Sequence, residues 1–126
     1  MSRSVLIVDD EQHIRLLIEQ TLEELADEGV DLYTASDGDE ALAAIDAQRP
    51  DLVFLDVMMP KRSGFDVLRE IRNDDACAGM KVIMLTARAQ DRDVDVGFSL
   101  GADDYITKPF SPQELRVRIG AHLSKR

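Results

Sequence analysis

Five short apolar runs in this chain each end on side chains able to do chemistry. Val5 to Val8 is followed by Asp9 and Asp10, Leu32 to Ala35 by Ser36, Leu52 to Leu55 by Asp56, Val82 to Leu85 by Thr86, and Tyr105 to Thr107 by Lys108. The third run is the sharpest, four β-formers with Pro50-Asp51 before them and Met59-Pro60 and Ser63-Gly64 after. If these ends share one place, three carboxylates repel: two unit charges about 4 Å apart cost roughly 4 kcal/mol at an effective dielectric near 20. Lys108 supplies one compensating charge. A hard divalent ion held by oxygen ligands supplies the rest, and Mg2+ takes one or two carboxylates while keeping positions open for a phosphate oxygen. A carboxylate nucleophile, a metal, a lysine and a hydroxyl are together the parts needed to move a phosphoryl group onto an aspartate.

Positioning them falls to the elements between. Apolar runs of this length bounded by turn signals predict strands buried on both faces, which belong to parallel sheets covered by helices. The intervening segments have helical period: Ile14, Leu17, Ile18, Leu22 and Leu25 share one face, as do Ala41, Leu42 and Ile45, then Val67, Leu68 and Ile71, and finally Leu115, Ile119 and Leu123. Helix starts are marked by Asp37 with Glu40, Ser63 with Asp66, and the capping box Ser111-Pro112-Gln113-Glu114, and stops by Gly29, Pro50 and Gly101. The order is βα repeated five times. A flavodoxin-like, doubly wound α/β fold with a five-stranded parallel sheet in the order 2-1-3-4-5 sets strands one, three, four and five side by side, with a crevice between one and three. Asp9, Asp10, Asp56, Thr86 and Lys108 then meet, and Ser36 stands apart. The stretch between Thr86 and Gly101 makes the poorest helix, because Asp91 to Phe98 offer little apolar face and one interior glycine, and it is expected to be the most mobile element.

Composition narrows the function classes. The 126 residues fit one domain, 1–126, able to fold without staples. A single cysteine, Cys77, excludes an internal disulfide framework and fits a reducing cytoplasm, and the few apolar residues after Met1-Ser2-Arg3-Ser4 are too short for a signal or membrane segment. A net charge of -10 repels polyanions, so direct nucleic-acid binding by this segment is not expected.

The chain resembles the receiver domain of two-component response regulators over residues 4 to 123. The motifs that carry the likeness are Val8-Asp9-Asp10-Glu11, Asp51 to Pro60 with Gly64, Leu85-Thr86-Ala87, Gly101-Ala102-Asp103-Asp104-Tyr105 and Lys108-Pro109-Phe110. The resemblance implies Asp56 as phosphoacceptor from a sensor histidine kinase or phosphotransfer protein. It implies Asp10, Asp56 and the main-chain carbonyl of Met58 as direct Mg2+ ligands, with Asp9 acting through water. Lys108 would pair with carboxylate or phosphoryl oxygens across a cis bond to Pro109, and Thr86 and Tyr105 would form a switch acting on the face of the fourth helix, fifth strand and fifth helix. Such a domain catalyses only its own phosphorylation and dephosphorylation.

Gly101 to Ile119 is most similar to receivers joined to winged-helix DNA-binding domains, which pair through that face by ion pairs. Asp104 and Arg118 match one such pair, but Val94, Ser99 and Gly120 leave the others incomplete, so a monomer or weak phosphorylation-dependent homodimer is expected, with a stand-alone output as an alternative. A haloacid-dehalogenase-like phosphatase also uses a strand-end aspartate beside Mg2+, yet needs a second carboxylate two residues on, where Met58 stands. Read singly, Glu11 is a helix-dipole complement, Met58 and Met59 are gap-fillers and contacts, His13 and His122 are surface residues, and Cys77 is a free thiol on a polar connection.

Overall fold

The computed structural model describes residues 3–26, 30–86 and 96–123. The apolar runs become β1 (Arg3–Val8), β2 (Val30–Ala35), β3 (Leu52–Asp56), β4 (Lys81–Thr86) and β5 (Asp104–Thr107), all parallel, in the order β2-β1-β3-β4-β5. Around them lie α1 (Gln12–Ala26), α2 (Gly38–Gln48), α3 (Gly64–Asn73), the helical residues 96–99 (α4) and α5 (Pro112–Leu123), with a 3-10 turn at Asp75–Cys77. The expected mobile stretch between Thr86 and Gly101 falls largely outside the described residues, as does the stop at Gly29.

Alternation along the strands builds a core on each face of the sheet. Leu6, Val8, Val53, Leu55, Val82 and Met84 pack with Ala41 and Ile45 of α2 and Val67, Leu68 and Ile71 of α3. Val5, Ile7, Leu52, Phe54, Ile83 and Leu85 pack on the other side with Ile18 and Leu22 of α1 and Leu115 and Ile119 of α5. Both faces being covered explains why the central strands β1, β3 and β4 carry unbroken apolar runs. The helix starts fall where the punctuation placed them: Asp37 accepts from the Glu40 amide, Ser63 and Asp66 form a reciprocal capping box, and Ser111 Oγ accepts from the Glu114 amide. Arg49, left-handed at φ 48°, ends α2 just before Pro50.

Two polar clips brace the elements nearest β5. Arg72 of α3 donates to the carbonyls of Met80 at 2.7 Å and Gly101 at 2.8 Å and pairs with Asp103 at 2.7 Å, closing the end of the sheet where β4 begins. At the other clip the Asp104 carboxylate pairs with Arg118 and lies 3.2 Å from His122 Nε2, so β5 is fastened to α5. Burial opposes ionisation of Asp104, but Arg118, the Tyr105 amide and His122 outweigh it and hold the pKa below the ordinary carboxylate value. An acid depressed in the folded state adds stability that is full above its unfolded pKa and lost as pH falls through its folded pKa. Asp104→Asn should therefore lower urea-unfolding stability near neutral pH by about 1 kcal/mol, the pair being partly solvated. In strong acid, at about pH 2, the charge-dependent loss should vanish. An equal loss at both pH values would show that charge is not its cause.

Candidate functional site

The sheet's ladder continues one residue past several strands and so fixes where each polar end begins. The Asp9 amide donates to Ala35 at 3.2 Å, Val57 to Leu85 at 3.0 Å and Lys108 to Thr86 at 2.7 Å. Asp9 is wholly buried, Asp56 and Thr86 nearly so, and Asp10 opens to solvent. One carboxylate oxygen from each of Asp9, Asp10 and Asp56 lies within 4.8 Å of the others. Lys108 Nζ stands 2.7 Å from Asp9 Oδ2 and 3.4 Å from Asp56 Oδ2, and the Lys108-Pro109 bond is cis. Ser36 stands apart on the far side of β1, its hydroxyl donating to Glu40 at 2.8 Å.

Electrostatics define what this pocket lacks. Burial, then the charge of Asp9, push the Asp56 carboxyl up to about 7, against the opposing pull of Lys108 and of the Met58 amide, which donates to Asp56 Oδ1 at 3.2 Å. Burial alone would lower the Lys108 pKa, but Asp9, Asp56 and Glu11 reverse the effect and raise it. Asp9 Oδ2 is buried and, although the Lys108 ammonium is in contact, has no hydrogen bond of good geometry. Three hard oxygen donors, one of them so left, and a carboxyl raised by burial and then by the neighbouring Asp9 charge make an acidic cluster that suits a hard divalent cation.

The β3–α3 connection, 57–63, holds Asp56 in place. The Gly64 amide donates to Val57 at 2.9 Å, and Lys61 and Arg62 tie the loop to the start of α2 through Asp37 at 3.5 Å and Asp39 at 2.8 Å. Gly64 is packed on the Asp56 main chain so closely that an added Cβ would lie 2.9 Å from its carbonyl carbon and nearer still to its oxygen. Met58 is 75% exposed beside this cluster and so, contrary to its sequence reading, fills no gap in the core.

Three side chains differ from their sequence reading. Glu11 is more than a helix-dipole complement, because its carboxylate reaches Lys108 Nζ at 3.3 Å. His122 is a half-buried partner of Asp104 rather than a surface residue. Cys77 is buried under Arg49 and Asp74, and that burial raises its thiol pKa. The Tyr105 ring is buried, lying against Gly97 and Phe98.

Fold and cluster together define a doubly wound domain with an acidic strand-end pocket at the point where the winding reverses. The family description "Response regulator receiver domain" matches residues 5–120, and the chain belongs to that family, the phosphorylation-based signalling domains of two-component systems. It is 43% identical over 125 residues to the alkaline phosphatase synthesis transcriptional regulatory protein PhoP of Bacillus subtilis, covering 99% of this chain and 50% of PhoP. Among solved structures it is similar to the chemotaxis response regulator CheY4 of Vibrio cholerae, with TM-score 0.88 and 32% identity over 98% of this chain and 100% of that one. It is also similar to DrrB of Thermotoga maritima, described as an OmpR/PhoB homologue, with TM-score 0.87 and 33% identity over 99% of this chain and 54% of that one. The likeness of the C-terminal part to receivers of DNA-binding regulators is thus borne out. The chain spans about half the length of PhoP and of DrrB. Among the described residues no helix is long and apolar enough to cross a membrane.

Proposed function

We propose that residues 1–126 form one cytoplasmic receiver domain whose Asp56 accepts a phosphoryl group from the phosphohistidine of a sensor kinase or phosphotransfer protein. The observation that carries this reading is the nearly buried Asp56 carboxylate with Lys108 at 3.4 Å and the Asp9 and Asp10 oxygens around it. An Asp56 oxygen attacks phosphorus. A P–O bond forms as the bond from phosphorus to the donor imidazole nitrogen breaks, and the imidazole leaves with that electron pair. Lys108 donates to the oxygens on which charge accumulates, and the Thr86 hydroxyl, at the adjoining strand end, donates to another once the phosphoryl group is in place. Asp10, Asp56 and the Met58 carbonyl would hold Mg2+ directly and Asp9 through water, and the ion supplies further neutralisation of the phosphoryl oxygens. The domain in this reading acts only on itself, adding and losing its own phosphoryl group. Thr86 and Tyr105 then bias two arrangements of the face formed by α4, β5 and α5.

Mass spectrometry after incubation with acetyl phosphate and Mg2+ tests the proposal. One phosphoryl group is expected on the wild type and none on Asp56→Asn or on wild type in EDTA. Modification that persists in Asp56→Asn would overturn it.

The likeness to PhoP over half of PhoP's length supports a receiver joined to a DNA-binding output, with regulation of transcription as the outcome. A stand-alone receiver is the second reading. It is favoured by Asp104, whose carboxylate is engaged by Arg118 and His122 of its own chain. With Ser99 and Gly120 where the pairing receivers carry charges, the activated domain is a monomer or weak dimer. The third departure, Val94, lies outside the described residues.

A further inference from the structure

Tyr105 is only 8% exposed, and something must make room for its ring. The ring centroid lies 5.4 Å from that of Phe98, the planes tilted by 56°, while Phe98 itself is 47% exposed. Beneath the phenol lies Gly97. A Cβ added there would come within 2.6 Å of both Cε2 and Cζ of Tyr105, and closer to its hydroxyl oxygen, whereas real Cβ atoms essentially never approach under 3.0 Å. Nothing in the backbone asks for glycine: residues 96–99 are helical, and Gly97 does not have a positive φ. Inside a helix glycine is less favourable than alanine. The ring, and not the turn of the chain, is what a side chain at this position would offend.

We propose that Gly97 is the positioning residue for Tyr105, opening the slot that holds the ring inside the domain. Position 97 thereby sets the balance between buried and exposed ring. A side chain there raises the free energy of the buried state alone, which shifts the population outward. The functional meaning of that balance rests on the reading of Thr86 and Tyr105 as the switch, whereas the slot itself does not.

Tyr33→Phe leaves Tyr105 the single tyrosine of a chain with no tryptophan, so intrinsic fluorescence then reports this ring alone. Acrylamide should quench the Tyr33→Phe protein weakly and Tyr33→Phe/Gly97→Ala several-fold more strongly. Equal quenching would overturn the proposal. A second pair covers the case in which Gly97→Ala folds poorly: introduced into Tyr105→Ala, the same substitution should raise the thermal midpoint, because only the helix preference of alanine remains. A fall in that background would show that the ring is not what glycine accommodates. Neither readout uses a phosphodonor. Absence of phosphorylation on Asp56, measured separately with acetyl phosphate and Mg2+, would defeat the site reading and leave the slot standing, while normal phosphorylation with equal quenching would defeat the slot alone.

Discussion

Gly64→Ala is expected to abolish measurable phosphorylation of Asp56 and to destabilise the domain by about 2–3 kcal/mol, the cost of forcing extra volume into a packed site. The new methyl group would meet the Asp56 main-chain carbonyl and, at 3.1 Å, the Met84 side-chain end. The methionine can yield, but the carbonyl cannot without moving the last residue of β3. That residue is in register with Leu85 of β4, and the amide after it donates to Leu85, so a shift tears the ladder that aims the carboxylate. Transfer geometry tolerates little displacement, and an error of about 1 Å at a reacting group can cost roughly 100-fold in rate. Urea unfolding and mass spectrometry with acetyl phosphate check the two halves separately. Wild-type stability together with wild-type phosphorylation would mean that the close approach of Gly64 does not position Asp56.

Lys108→Met should lower the stability of the metal-free domain by about 3 kcal/mol, as when one partner of a buried ion pair is removed. The substitution keeps much of the apolar stem and deletes the ammonium that now touches Asp9 and lies near Asp56 and Glu11. Asp9 feels the loss most, being wholly buried. Millimolar Mg2+ should restore a larger share of stability in the variant than in the wild type, because the same surplus negative charge then has one cation in place of two. Phosphorylation should remain far below the wild-type rate even so, since a lysine donor at the transferred oxygens is missing. Unfolding curves in EDTA and in Mg2+ measure the first effect, and equal stabilisation of both proteins by the metal would contradict it.

Much of this was legible in the sequence because both faces of the sheet are buried. Leu52 to Leu55 reads as a strand without ambiguity, and a strand-end residue in a parallel sheet lands on the same edge as every other strand end, so Asp9, Asp56, Thr86 and Lys108 could be brought together from order alone. Caps were equally local: Ser63 and Asp66 stand three residues apart and find each other wherever the helix goes. What escaped depends on the reach of side chains between distant elements. Glu11 meets Lys108 across 97 residues of sequence, Arg72 meets Asp103 across 31, and His122 meets Asp104 only because α5 packs beside β5 at one particular angle. Gly97 was read as a weakness of the fourth helix. Its neighbour Tyr105 lies on another element, so no periodicity could reveal the contact.

Chemical trapping of the modified residue tests the central claim most directly. Borohydride reduces an aspartyl phosphate to homoserine, and peptide mapping of wild-type protein treated with acetyl phosphate and Mg2+ should find homoserine at position 56 and at no other aspartate. Homoserine at Asp9 or Asp10, or a phosphoryl group recovered on His13 or His122, would contradict the assignment of Asp56 as the phosphoacceptor.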